Sequence, residues 1–213
     1  YEWIGLLLRA EMIAIKNESQ AVAKFAALVK RVMNETDAIP ILISDNADAL
    51  KAALAISAGR VPLIYAATEQ NYEAMVGLAK EFKCPLVAKS DNLNSLSGLT
   101  DKIVAAGLKD IIVDSGARTV RGAFEEMTFL RRAALIQKNR SLGFSPITFP
   151  GEMTNNPLKE TIIASMLIAK YAGIIVLSDF QGESLFPLLV ERLNIYTDPQ
   201  RPMMMKEGIY PIG

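Results

Sequence analysis

The sequence predicts an α/β fold of the (β/α)8 TIM-barrel type, and three observations carry that reading. Short apolar runs rich in β-branched residues recur along the chain. Helical periodicities lie between them. Gly and Asn punctuate the junctions. Apolar residues at consecutive positions, rather than alternating ones, are the pattern of a parallel strand covered on both faces.

In chain order the expected strands are Met12–Ile15, Ile41–Ile43, Leu63–Tyr65, Leu86–Ala88, Ile111–Val113, Ile147–Phe149 and Ile174–Leu177. Successive starts are about 22 to 35 residues apart, the length of one strand–helix unit. Between the strands, Val22, Phe25, Ala26, Val29 and Val32 follow helical spacing, as do Tyr72, Met75, Val76, Ala79 and Phe82, and Leu96, Leu99, Ile103 and Ala106. Ala58-Gly59, Ala106-Gly107 and Ala172-Gly173 place Gly where a helix gives way to a strand. Asn156-Pro157 supplies a cap and a first-turn proline. The apolar stretch Ile162–Ala169, interrupted by Ser165, reads as a buried helix, since a membrane span requires roughly 20 apolar residues. No Gly-rich phosphate fingerprint follows the first strand, so a closed barrel is preferred over a dinucleotide-binding open sheet. Seven units are clear. The eighth strand is either absent or lies within Pro202–Ile212. With no break in composition, residues 1–213 read as a single barrel domain, and the ends at Tyr1 and Gly213 read as cuts in a longer polypeptide.

Composition narrows the chemistry. The 213 residues hold 23 basic and 23 acidic side chains, one Cys and no His. Charge balance gives no bulk attraction to nucleic acid or membrane. A Ser–His–Asp triad, a His-ligated metal and an iron–sulfur cluster held by this chain's own thiolates are excluded. A single Cys forms no intrachain disulfide and fits a reducing, cytoplasmic compartment. Residues 1–8 lack the basic start of a signal peptide. Cys84, just before Pro85 at a strand start, reads as a buried, inert thiol. Met203–Met205 reads as a packing surface, and Arg131-Arg132 as the wet side of a helix.

In such barrels function gathers at the C-terminal ends of the strands. The candidates there are Asn17, Asp45, Asn46, Thr68, Asn71, Asp91, Asn92, Asp114, Arg118 and Asp179. Asp and Asn can accept hydrogen bonds from the NH-rich edge of a heterocycle. The same residues are ordinary helix caps in strand-to-helix loops. Asp114-Ser115-Gly116-Ala117-Arg118 joins an acid, a flexible Gly and an Arg, a combination that suits an anion contact or a structural turn. Lys16 and Lys89 also stand at strand ends, where an aldolase-like Schiff-base lysine would stand.

Three stretches carry a family resemblance. Pro62–Tyr72 resembles the "PLIYAAT-x-x-N-W/Y" segment of the large (gamma) subunit of the corrinoid/iron–sulfur protein. Asp110–Gly116 is similar to that family's "DIVLDPG" segment. Ile195–Pro202, followed by Gly208–Gly213, resembles the "IYTDP-x-x-P … G-x-Y-x-IG" stretch that closes its barrel region. Met12–Asn17 and Arg131–Ala134 fit the same alignment. The resemblance implies the central TIM barrel of a methyl carrier of the acetyl-CoA decarbonylase/synthase system. Such a carrier passes a methyl group between methyltetrahydrofolate and acetyl-CoA synthase. No cofactor is expected in this segment. The corrinoid and the four-Cys [4Fe–4S] cluster are implied for flanking domains of the full-length protein. The implied partners are the small (delta) subunit, the methyltetrahydrofolate methyltransferase and acetyl-CoA synthase. The chain departs from the family at Ser115, where the family has Pro, and at Ser178, where the family's strand end carries His. The alternative is a pterin-binding methyltransferase barrel, or a divergent paralogue in another corrinoid methyl-transfer system. In it Asp45, Asn46, Asp91, Asn92, Asp114 and Asp179 would hold methyltetrahydrofolate.

Overall fold

A computed structural model describes residues 1–3 and 5–195. A short antiparallel hairpin opens the chain, β1 (Glu2–Trp3) with β2 (Leu6–Leu7). Strand and helix then alternate: β3 (Met12–Lys16), α1 (Val22–Glu35), β4 (Ile39–Ile43), α2 (Ala47–Ser57), β5 (Leu63–Ala67), α3 (Tyr72–Phe82), β6 (Leu86–Lys89) and α4 (Leu93–Ala105). They continue as β7 (Ile111–Asp114), α5 (Val120–Leu135), β8 (Ser145–Thr148), α6 (Pro157–Ala169), β9 (Ile174–Ile175) and α7 (Gly182–Ile195). β3 to β9 form one seven-stranded sheet in sequence order, parallel throughout.

The sheet curls. The Tyr65 ring on β5 meets the ring of Phe149, just past β8, at 5.1 Å between centroids. Three strand spacings in a flat sheet come to about 14 Å, so only a strongly curved wall brings these inward side chains together. Alternate residues divide into two layers. Ile41, Leu63, Tyr65, Val87, Ile147 and Phe149 fill the inside, joined by Met12, Ile112 and Ile174. Ile15, Leu42, Ile64, Leu86, Ile111 and Val113 point outward and pack under the helices with Phe25, Leu50, Leu54, Met75, Leu96 and Ile103. Both faces of each strand are therefore dry, which is why the runs are apolar at every position.

The strands fall where the apolar runs predict them. β9 is shorter than the expected Ile174–Leu177, although the Val176 amide still bonds to the Thr148 carbonyl. The Asn156 side chain caps α6, with Pro157 in the first turn. That helix departs from the fully buried reading: Ile163, Ala164, Leu167 and Ile168 are buried, but Leu158 and Ile162 are 70 % and 61 % exposed. Arg131 and Arg132 are exposed as expected, with the Arg131 guanidinium 3.6 Å from the Tyr171 ring centroid. Cys84 is buried at the foot of β6, and burial pushes its thiol up to about 11. The expected eighth strand in Pro202–Ile212 and the Met203–Met205 surface lie outside the described residues. Among the described residues, no helix is long and apolar enough to cross a membrane.

Candidate functional site

The C-terminal rim is held by one polar cluster, and Asp114 is at its centre. Asp114 ends β7 facing inward and is 1 % exposed. Gly116 adopts φ +76°, turning the chain back so that its N–H donates to Asp114 Oδ1 at 2.8 Å. A Cβ at Gly116 would lie 2.9 Å from Asp91 Oδ1 and 3.0 Å from the Ser90 carbonyl oxygen, so the loop needs glycine for space as well as for its torsion. The turn brings Arg118 over the carboxylate it follows. Arg118 Nη1 donates to Oδ1 at 3.1 Å and Nη2 to Oδ2 at 2.8 Å, a forked pair.

Tyr65 completes the centre from two strands away. Its hydroxyl donates to Asp114 Oδ2 at 2.6 Å and accepts from Arg118 Nη2 at 3.1 Å. An irregularity in the β5–β6 register after Ile64 puts both Tyr65 and Ala66 in the inner layer. Arg118 Nε donates to Glu152, and its guanidinium lies 5.0 Å from the Phe149 ring. Lys89, the register partner of Asp114, holds its ammonium 5.7 Å from the Tyr65 ring.

Burial alone would push the Asp114 carboxyl up. The hydrogen bonds and charge of Arg118, then the Tyr65 hydroxyl and the Gly116 amide, outweigh it and hold the carboxyl below its usual range. Burial, reinforced by the Asp114 charge, pushes the Tyr65 phenol well above its ordinary value. Burial would lower Arg118, but Asp114's bonds and charge raise it further. Asp114 therefore stays ionised, Arg118 charged and Tyr65 neutral across the neutral range, whereas general acid–base work needs a group poised near the operating pH. Their donors and acceptors are spent on one another. The cluster is a plug that ties the ends of β5, β7 and β8 together.

The other rim candidates separate into distinct roles. Asn46 Oδ1 accepts from the Asp48 and Ala49 amides and caps α2. Asn92 Oδ1 accepts from the Ser95 amide and caps α4. Asn71 Oδ1 accepts from the Thr68 amide at 2.7 Å and from its hydroxyl, closing the turn after β5. Asn17 is buried and donates to the Ser44 hydroxyl at 3.1 Å, joining the ends of β3 and β4. Asp45 and Asp91 are exposed. Asp179 is exposed and accepts from the Phe180 amide and the Gln181 side chain, which lower its carboxyl. Of these candidates only Asp114 and Arg118 belong to the central cluster. Glu160, buried on α6, accepts from the Ser178 amide at 2.6 Å and from its hydroxyl, pinning the loop after β9.

Sequence reading missed Tyr65 as a site residue, because a tyrosine inside an apolar run reads as core. The available signal was its hydroxyl: an inward tyrosine near a strand end must find a polar partner. Glu160 was hidden in the first turn of a helix, where acids are ordinary.

The curled parallel wall and its plugged rim define the class: a TIM-type β/α barrel. Solved structures agree on the fold. Dihydropteroate synthase from Coxiella burnetii in complex with pteroic acid superposes with a TM-score of 0.66 at 12 % identity, over 89 % of this chain and 82 % of that one. The Xanthomonas albilineans dihydropteroate synthase gives 0.63 at 13 % identity, over 89 % and 80 %. Sequence then gives the family. The chain belongs to the CO dehydrogenase/acetyl-CoA synthase delta subunit family, whose model matches residues 2–213. It is 41 % identical to the corrinoid/iron-sulfur protein large subunit of Moorella thermoacetica, over 100 % of this chain and 47 % of that protein. It is 28 % identical to the acetyl-CoA decarbonylase/synthase complex subunit gamma of Archaeoglobus fulgidus, over 99 % and 47 %. The chain thus spans about half the length of the curated relatives it matches.

Proposed function

We propose that this chain is the barrel domain of a corrinoid methyl-carrier protein, a docking scaffold within a system that passes a methyl group between methyltetrahydrofolate and acetyl-CoA synthase. The observation that carries this reading is the 41 % identity to a corrinoid/iron-sulfur protein large subunit across the whole chain. The plugged rim supports a scaffold role, because Asp114, Arg118 and Tyr65 are engaged with one another. A four-thiolate cluster does not fit these residues: the one Cys is buried at the foot of β6. Cluster and corrinoid are assigned to the half of the relatives' length that this chain does not span. The partners on this reading are a small (delta) subunit, the methyltetrahydrofolate methyltransferase and acetyl-CoA synthase, in a cytoplasmic setting.

The pterin-holding alternative would require Asp45, Asn46, Asp91, Asn92, Asp114 and Asp179 to turn acceptors toward a common ligand. Asn46, Asn92 and Asp114 have theirs committed to two helix caps and to Arg118. The likeness to the dihydropteroate synthases concerns the fold. The test is methyl transfer with the anaerobically purified full-length protein that carries this chain, followed by corrinoid absorption. Methylation of a protein-bound corrinoid by methyltetrahydrofolate and its methyltransferase is expected. A full-length protein that binds no corrinoid would overturn the reading.

A further inference from the structure

The rim cluster leaves one buried polar atom without a partner. Glu126 stands on α5 beside the buried Met127 and is half-buried itself. Its Oε2 is covered and has no hydrogen-bond partner among the described residues. Buried polar groups are nearly always paired, so an orphan requires a reason. Asp114 ends β7 facing inward. The next residue, Ser115, turns to the helix side, where its hydroxyl bonds the Glu126 carboxyl. Glu126 thus backs onto the strand end whose inner side carries the plug.

Two carboxylates there compete for one cation. Arg118 has no donor to spare: Nη1 gives to Asp114 Oδ1 and the Ala117 carbonyl, Nη2 to Asp114 Oδ2 and the Tyr65 hydroxyl, and Nε to Glu152. Arg121 on α5 is paired with Glu125, and Lys89 on β6 lies over the Tyr65 ring. Asp91, from the loop after β6, lies against Gly116 and adds negative charge on that side. Burial pushes the Glu126 carboxyl up. The Ser115 hydroxyl draws it down, the Asp114 charge pushes it up, the Arg118 charge draws it down, and the net is upward. An ionised Glu126 gains a charged donor for its buried oxygen by taking one from Arg118, and that donor is then lost to the plug. A protonated Glu126 makes no such demand.

We propose that Glu126 is a proton-operated latch of the rim: as the neutral acid it leaves the Asp114–Arg118–Tyr65 plug shut, and as the carboxylate it draws on Arg118 and lets the loop between β7 and α5 open. In the open, wetted loop the carboxyl returns toward about 4.3. The closed rim therefore holds the proton more tightly, and its advantage is lost as pH rises through the closed-state value. Asp114, held low, stays ionised above about pH 5 and does not contribute to that rise.

The test is hydrogen exchange over Asp114–Val120 in the full-length protein that carries this chain, corrected for intrinsic exchange, from about pH 5 to about pH 8. In wild type, loop opening is expected to increase at least about threefold across that window. Glu126→Gln should stay at the wild-type pH 5 level throughout. Ser115→Ala should move the rise to higher pH, because the bond that favours the carboxylate is gone. Opening of α1 should not follow the same profile. Glu126→Met replaces Glu126→Gln if the latter does not melt with wild-type cooperativity. A flat wild-type profile, a neutral variant as steep as wild type, a rise unmoved by Ser115→Ala, or a rise shared by α1 each overturns the latch. A neutral variant whose loop is open at every pH also overturns it, since the carboxylate is then a structural acceptor.

Discussion

Replacing Asp114 by Ala removes the acceptor on which the rim cluster is built. Four donors lose this acceptor at once: the Tyr65 hydroxyl at 2.6 Å, the Gly116 amide at 2.8 Å, and Arg118 Nη1 and Nη2 at 3.1 and 2.8 Å, although Nη1 keeps the Ala117 carbonyl and Nη2 the Tyr65 hydroxyl. Breaking one side of a buried ion pair costs about 3–5 kcal/mol, because the surviving charge is left without compensation. Here the survivor is partly relieved. The Arg118 side chain is 25 % exposed and keeps Glu152, so part of its charge returns to water. Tyr65 has no such route, being 9 % exposed, and its unsatisfied hydroxyl adds about 1 kcal/mol. The expected loss is therefore about 3 kcal/mol, or about 6–12 °C in melting temperature for a domain of this size. Urea unfolding followed by circular dichroism measures it. Asp114→Ala combined with Arg118→Met should be more stable than the sum of the two single losses by about 1–3 kcal/mol, since each removes the same pair. A single Asp114→Ala variant within about 0.5 kcal/mol of wild type would refute the buried-plug reasoning.

Three further outcomes follow from the same geometry. The Asp114 carboxyl lies below its usual value when folded and near 3.9 when unfolded. Its contribution to stability is thus present in full above about pH 5 and is lost as pH falls through the folded value. Wild type should lose stability more steeply between pH 5 and 3 than Asp114→Ala, as read by denaturation at each pH. Asn46→Ala and Asn92→Ala should each cost about 1 kcal/mol by removing the acceptors that cap α2 and α4, as read by urea unfolding. Cys84, buried and with its thiol raised to about 11, should react with thiol reagents only as fast as the native protein opens. Rapid labelling of the folded chain would contradict its placement.

Repetition made the fold legible in the sequence. Each strand is dry on both faces, so Ile41–Ile43 and Leu63–Tyr65 announce themselves as continuous apolar runs, and Asn156-Pro157 marks the start of α6. The rim was legible only in residue type. Asn46 and Asn92 have the chemistry of either a ligand contact or a cap, and only the placement of the Asp48, Ala49 and Ser95 amides decides between them. The Asp114–Arg118 pair could be singled out because both members lie in one loop. Their link to Tyr65 spans 49 residues and depends on sheet curvature, which no local pattern encodes. The Pro62–Asn71 segment is an inward tyrosine followed by a turn that Asn71 closes on Thr68. The exposed side of α6 was misread for a related reason, since apolar residues around a whole helix do not say which neighbour covers each side.

On the proposed reading this barrel is a docking scaffold, and its rim side chains bind one another rather than a pterin. Calorimetric titration of the chain with methyltetrahydrofolate tests it most directly. No saturable heat is expected up to ligand concentrations of about 1 mM, the level at which affinity has fallen to roughly 4 kcal/mol. Tight one-to-one binding, abolished by replacing Asp45, Asp91 or Asp114, would contradict it.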